Sequence, residues 1–461
     1  MTNSRTLLWQ PDLRARSGPR YLALIAALTD DMRAGRLHAG DRLPTHRDLA
    51  EALQLSLGTI TRAYKEAEQS GLITSRVGRG TFVAAGSPAN PLGLPSERLI
   101  EMSVDLPLHR HDPDLALALQ RLARRDDLQQ MLRYQDHLGS ARHRRAGAAW
   151  AARFGLQVGA DDVAVCAGSH HALSMAITVV SKPGDVVLCD ALTYPGLRAI
   201  VGQLHRRIHA VKARADGSFD VDAVAAACRR RPVRALYCSP SLHNPTTAQM
   251  DAEQRARLAE LAAARGFHIL EDDVHRLASD STAPPIAAIV PEHTLFVASF
   301  SKAVAAGLRV AFLVSPRALR ERIVDACYAS VWTVSPLPVE VAASWIEDGT
   351  ADKVVIAKRR EAAARQRVFA RFFAGRAFAA QPSACYAWLQ LPEPWTSVGF
   401  VDAARSLGVA VTPATAFWIG TSEAPAAVRV CLGGPETRAD VTRGVEILAK
   451  LIDGRSIPPA K

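Results

Sequence analysis

Lys302, in the stretch LFVASFSKAVAAGLRVAFLV from Leu295 to Val314, is the residue with the most chemistry to offer. Two apolar runs, Leu295–Ala298 and Val310–Val314, flank a loop of small residues. Runs of that length bounded by Ser and Gly read as buried strands, so Lys302 sits where the chain leaves a core. The chain uses eight lysines against 48 arginines, so arginine is its default cation. A lysine between two core strands fits a need for an amine: an amine condenses with an aldehyde, and a guanidinium does not. Taken alone, it could equally be a solvated loop lysine.

Five neighbours in sequence order bear on that choice. Gly168-Ser169-His170 follows an apolar strand and opens a helix, where backbone N–H groups could hold a phosphate. Tyr194, in TYPG, could stack on a flat ring, and Asn244, in SLHNPT, could donate to a phenolate oxygen. Asp272, at the end of FHILED, could pair with a protonated ring nitrogen, and Arg309 could clasp a phosphate. Each has a plainer reading: a turn glycine, a core tyrosine, an Asx-turn, a helix cap, an ion-paired arginine. Together they supply what pyridoxal 5′-phosphate (PLP) demands: an amine for the aldehyde, an acid for the pyridine nitrogen, donors for phosphate and phenolate, and a ring to stack.

The elements that must position them alternate in type. Strands are expected at Val163–Cys166, Val186–Cys189, Ala235–Cys238 and His268–Leu270, with helices at His171–Val180, Val221–Arg230 and Asp251–Arg265. Such alternation implies an α/β fold with a largely parallel sheet, whose ligand site lies off the carboxyl ends of the strands. The candidates fall there.

Upstream the pattern changes. Tyr21, Ile25, Leu28 and Met32 make one face of a helix that stops at Gly35; Leu49 and Leu53 belong to a second helix. Ser56 caps a third, with Ile60, Tyr64 and Ala67 inward. Two short helices joined by so brief a turn are a helix-turn-helix. Arg76-Val77-Gly78-Arg79-Gly80 reads as the tip of a hairpin wing. The third helix would enter the major groove, bringing Thr59, Thr61 and Arg62 towards the bases. Arg47 and Arg79 suit phosphates. Residues 1–82 carry 12 basic and eight acidic residues, a local charge of +4 within a total of +11.

A chain of 461 residues, 48% hydrophobic and 22% charged, is globular and long enough for about three domains. No apolar run is long enough to span a membrane, and Met1–Gln10 lacks a signal-peptide core. Seven scattered cysteines form no C-x-x-C pair, which points to free thiols in a reducing cytoplasm and to no metal site. Ala84–Pro95, rich in Pro, Gly and Ala, reads as a linker.

Through LHAGDRLPTHRDLA, GTITRAY and GLITSRVGRGTFV, residues 1–84 resemble the winged helix of the GntR regulators. That family often has Arg after the capping Ser, where this chain has Leu57. Through SFSKAVAAGLRV, SLHNPT, FHILEDDVH, AGSHHAL and TYPG, the rest resembles fold-type I aminotransferases. The combination resembles the MocR subgroup of GntR regulators. The expected layout is a winged helix over 1–84, a linker over 85–100, a large PLP-binding domain over 101–325 and a small C-terminal α+β domain over 326–461.

The resemblance implies PLP on Lys302, Asp272 at the pyridinium, Asn244 at the phenolic oxygen and Tyr194 over the ring. It places Ser169, His170, Ser299, Ser301 and Arg309 on the phosphate, with Tyr134 reaching the partner's phosphate in a homodimer. Arg429, in VRVCLGG, resembles the arginine that takes a substrate carboxylate; otherwise it is a strand-edge arginine facing solvent. Val274 and His275 stand where the family commonly has Tyr, so His275 is left to donate to the phenolic oxygen and transamination is expected to be weak. Thr247 replaces a common glycine. The implied function is a regulator that binds double-stranded operator DNA and senses an amine, an amino acid or PLP through aldimine exchange at Lys302. An aminotransferase that also binds DNA, and a DNA-binding module on an inert dimerisation body, are the alternatives.

Overall fold

The computed structural model describes residues 9–11, 13, 20–33, 36–37, 41–69, 72–76, 80–83, 99–214, 219–420 and 422–454. The chain divides into two compact units, Met1–Leu94 and Pro95–Lys461.

The first unit is built on helices α1 (Arg20–Arg33), α2 (His46–Leu53) and α3 (Leu57–Gln69). Thr45 accepts the Asp48 N–H at the start of α2, and Ser56 Oγ accepts the Thr59 N–H at 3.2 Å at the start of α3. These caps satisfy amides that a helix start otherwise leaves without partners. Gln54, at φ +52°, turns the chain between the two helices. Leu24, Leu28, Leu49, Ile60, Tyr64 and Ala67 meet in one core, as the helical spacing requires. The wing pairs strands β1 (Ile73–Arg76) and β2 (Gly80–Val83) antiparallel, with Arg76 opposite Gly80. The segment before α2 joins its edge: Leu43 N–H donates to Thr81 O and Val83 N–H to Asp41 O, both at 2.9 Å. Gly35, the expected stop of α1, and Arg79, at the wing tip, lie outside the described residues.

The second unit begins with a two-residue strand, β3 (Ile100–Glu101). Its main sheet holds β4 (Val163–Cys166), β5 (Val186–Asp190), β6 (Arg207–Val211), β7 (Val233–Cys238), β8 (His268–Glu271), β9 (Thr294–Ser299) and β10 (Ala311–Val314) in the order β4-β10-β9-β8-β7-β5-β6. Only β10 runs against its neighbours. The inner strands are largely buried on both faces, which is why they read as apolar runs, whereas the edge strand β6 is only partly buried. Val163, Val165, Phe296, Phe312 and Val314 pack one face with Trp150 of helix Ala141–Arg153 and with Phe154, which caps its C-terminus. The alternate residues Ala164, Cys166, Leu295, Val297 and Leu313 pack the other face with helix Ser169–Val180. A period of two thus places each side chain.

A second, antiparallel sheet runs β11 (Phe378–Ala380), β12 (Tyr386–Gln390), β15 (Ala427–Cys431), β14 (Thr412–Pro413). The short β13 (Val409–Ala410) pairs in parallel with β3, so the first strand after the linker joins the C-terminal part of the unit, although residues from 101 were expected with the large domain. Helices Thr350–Phe372, Ser397–Ser406 and Arg438–Ile452 contribute to its core. All seven cysteines are free, and among the described residues no helix is long and apolar enough to cross a membrane.

Candidate functional site

Five parallel strands deliver the candidates at their carboxyl ends. Ser169 follows β4, Tyr194 follows β5, Asn244 follows β7, Asp272 follows β8 and Lys302 follows β9. A parallel sheet gathers such residues because successive strand ends open on the same side.

Asp272 is buried. Its Oδ2 accepts the Tyr237 hydroxyl at 2.7 Å, and its Oδ1 has no hydrogen-bond partner. Burial pushes its carboxyl up to about 6, against the pull of the Tyr237 hydroxyl. An acceptor so placed suits a cationic ring N–H. Opposite in character is a cluster of small donors. Ser169 Oγ donates to Ser299 Oγ at 2.9 Å, Ser301 N–H to Ser299 Oγ at 3.2 Å, and Arg309 Nη1 to Ser301 Oγ at 3.2 Å. Gly168 caps the helix at φ +84°, and a Cβ there would collide with the Arg309 guanidinium. Helix N-terminus, hydroxyls and guanidinium together suit a phosphate. His170 Nε2 lies 2.6 Å from the Tyr194 hydroxyl, so these two rings hold each other at the edge of this cluster.

Lys302 donates to the Asp105 carbonyl, and its Nζ lies 3.1 Å from Asp105 Oδ2. His275 Nε2 lies 3.3 Å from the same oxygen. Neither approach is aligned as a hydrogen bond, so the buried Oδ2 has no donor of its own. Burial opposes a charge on Asp105, but Lys302, His275 and Arg429 overcome it and hold the carboxyl well below the usual range. Burial also pushes His275 down to about 4. At neutral pH that imidazole is uncharged, and Lys302 and Arg429 are the cations that keep Asp105 ionised.

Arg429 is buried, because β15 lies inside its sheet between β12 and β14; the solvent-facing alternative is overturned. Nη1 donates to Asn244 Oδ1 at 2.7 Å and Nη2 to Ser103 O at 2.8 Å, while Nε has no partner. With its oxygen taken, Asn244 keeps its NH₂ free to donate. Tyr134 stands apart: it is 84% exposed and its ring meets Trp332 at 5.8 Å. Thr247 adopts φ +61°, where the family's glycine would be unstrained.

In the first unit, Arg47, Thr61 and Arg62 are exposed and Thr59 is half-buried. Arg62 contacts Glu66 and the Tyr21 hydroxyl, both at 3.0 Å. Thr61 Oγ1 approaches His46 Nδ1 at 3.4 Å, and Thr59 Oγ1 sits 2.8 Å from Ser56 Oγ.

The chain matches the aminotransferase class I and II family over residues 97–448 and the gntR family of bacterial regulatory proteins over residues 20–83. It is 31% identical to the HTH-type transcriptional regulator YdeF of Bacillus subtilis, over 96% of this chain and 97% of that protein. The chain belongs to the HTH-type transcriptional regulators of this two-part kind. The vitamin B6 salvage pathway transcriptional repressor PtsJ of Salmonella typhimurium is 28% identical, over 78% of this regulator and 82% of its own length. An archaeal alanine:glyoxylate aminotransferase has the fold of the body: TM-score 0.71 at 20% identity, over 80% of this regulator and 94% of that chain.

Sequence reasoning missed three residues of the regulator's site. Tyr237 lies in an apolar strand and reads as core, so nothing in its surroundings advertises a hydroxyl on Asp272. Ser103 meets Arg429 through its carbonyl, which no side-chain pattern reveals. Asp105 carries no local signal, and its position beside Lys302 depends on contacts 197 residues apart.

Proposed function

We propose that this regulator is of the MocR type, holds PLP on Lys302, works as a homodimer and changes its DNA affinity when a small ligand reaches that site. The observation that carries the reading is the unpartnered Asp272 Oδ1 at the end of β8, one strand from the Lys302 amine at the end of β9. A buried acceptor without a donor costs stability and is retained where a ligand satisfies it.

Bound PLP supplies an aldehyde that an amine can capture. Lys302 presents the amine. Asp272 would accept the ring N–H and favour its protonation. Asn244 would donate its NH₂ towards the phenolic oxygen, and Tyr194 would stack on the ring. Ser169, Ser299, Ser301, Arg309 and the amides from His170 would hold the phosphate. His275, turned to Asp105, is a poorer partner for the phenolic oxygen than the tyrosine that relatives of this fold carry. Leu132, Tyr134, Tyr328 and Trp332, all well exposed, form an apolar surface that a second copy would cover, bringing Tyr134 to the partner's phosphate. In the head, Thr59, Thr61 and Arg62 face bases, while Arg47 and Arg79 hold phosphates. A ligand that binds the body's two states unequally biases DNA affinity by that difference.

The test is fluorescence anisotropy of labelled DNA from upstream of the regulator's own gene, with and without PLP and amines. The native protein should shift its affinity about threefold or more, a coupling of the ordinary allosteric size. Lys302→Ala should still bind DNA and show no shift. A Lys302→Ala protein that responds like the native one would leave only a DNA-binding head on an inert body.

A further inference from the structure

Asp105 is a buried, ionised carboxylate beside the amine at which the ligand must arrive. Its Oδ2 has no hydrogen-bond partner and meets the Lys302 amine as an ion pair at 3.1 Å. His275 is the other side chain against this oxygen, and burial keeps it neutral at physiological pH. Arg429 is the cation a ligand carboxylate would seek, and it is already engaged. Its two terminal nitrogens bond Asn244 and Ser103, its guanidinium lies 4.8 Å from the Phe417 ring centre, and it shares its field with Asp105.

The charges near Lys302 can therefore be counted. With Asp272 assigned to the ring nitrogen and Arg309 to the phosphate, what remains is one negative charge on Asp105 and one positive charge each on Lys302 and Arg429. Asp105 lies in the field of Arg429 as well as of Lys302, so when Lys302 is committed to the cofactor Asp105 still offsets part of the Arg429 charge and leaves less of it for an anionic ligand. A ligand carboxylate would meet Arg429 only by displacing one of its bonds or using Nε, and it would lie within reach of Asp105. Like charges in a buried site repel strongly, because little water screens them. An amine without a carboxylate escapes that penalty, and any further ammonium it carries is attracted to Asp105.

We infer that Asp105 makes this a receptor for primary amines that carry no carboxylate, and that it rejects the corresponding α-amino acids. The inference rests on the PLP-bound reading above and narrows its ligand class. Asp105 is a specificity residue: it selects by charge and takes no part in capturing the aldehyde.

The test uses full-length, PLP-loaded protein and matched pairs that differ only in the carboxylate: putrescine against ornithine, cadaverine against lysine, and butylamine against norvaline. Binding is read by calorimetry and by the change in the cofactor's absorbance. In the native protein each amine should bind about tenfold or more tightly than its amino acid, the fold-change of one ordinary buried charge repulsion. Asp105→Asn keeps the shape and removes the charge. It should shrink that ratio about tenfold, chiefly by strengthening the amino acids, with PLP content and melting temperature confirming that it is folded.

Equal or reversed preference in the native protein, absence of any amine binding, or an unchanged ratio in folded Asp105→Asn would overturn the inference. The native pairs decide it even if the variant does not fold. A protein that takes up no PLP shows no cofactor band before any ligand is added; that result overturns the underlying reading, and this inference with it.

Discussion

Burial strips a carboxylate of its hydration, and Asp272 and Asp105 meet that penalty in different ways. Asp105 has Lys302 and Arg429 beside it and stays ionised. Burial outweighs the Tyr237 hydroxyl and the more distant Lys302 at Asp272, and its carboxyl rises to about 6. A raised carboxyl holds its proton better in the folded chain than in the unfolded one, where it titrates near about 4. The stability it contributes is fully present below about pH 4 and is lost as pH rises through about 6, a loss of about 2–3 kcal/mol at neutral pH. Cofactor-free Asp272→Asn should therefore melt higher than the native protein at about pH 7, and the gap should close near about pH 4. The same variant should bind PLP about tenfold or more weakly, since it cannot carry the charge that a ring cation needs. Calorimetric melts across pH and a PLP titration check both halves; a variant that melts lower at neutral pH would contradict the electrostatic account. Asp272 was legible because it ends an apolar strand. Asp105 was not: no local pattern announces a carboxylate whose partners come from distant strands and are brought in by the fold.

Elements were legible in proportion to their length and burial. The central strands emerged from apolar runs because both faces of the main sheet are covered, and α3 emerged from its capping serine and apolar stripe. Strands β3, β13 and β14 hold two residues each, too few to show a period, so the pairing that draws residue 100 onto the C-terminal part was hidden. Backbone conformation was legible only by contrast with relatives. Thr247, buried at φ +61°, is a β-branched residue in a region that disfavours it, so Thr247→Gly should relieve strain of about 1 kcal/mol or more before the added chain entropy of glycine is subtracted. A melting temperature equal to or above the native value is expected. Gly168 presents the reverse case. Gly168→Ala adds a Cβ at φ +84° against the Arg309 guanidinium, so the phosphate end of the site should open and PLP affinity should fall about tenfold or more. A PLP titration of Gly168→Ala with unchanged affinity would remove Arg309 and the helix start from the phosphate site.

At the scale of the whole molecule, charge and symmetry carry the expectations. Arg47 is exposed on α2, and under the proposed function it meets a DNA phosphate. Arg47→Ala should weaken binding to all DNA sequences alike and reduce the slope of log affinity against log salt by about 0.9, the share of one phosphate contact. A loss confined to one operator sequence would instead make Arg47 a base reader. Leu132 is 77% exposed, two residues before Tyr134, whose ring meets Trp332. Leu132→Asp should convert a native dimer to monomer in sedimentation and weaken operator binding with it; a native monomer would remove Tyr134 from the phosphate site. The account of the ligand site presupposes that a cofactor aldehyde is held by one particular amine. Incubating the full chain with PLP, reducing with borohydride and mapping the labelled peptide by mass spectrometry tests that directly. The account predicts a single pyridoxyl adduct on Lys302, absent from Lys302→Ala; an unlabelled Lys302, or label spread over surface lysines, would contradict it.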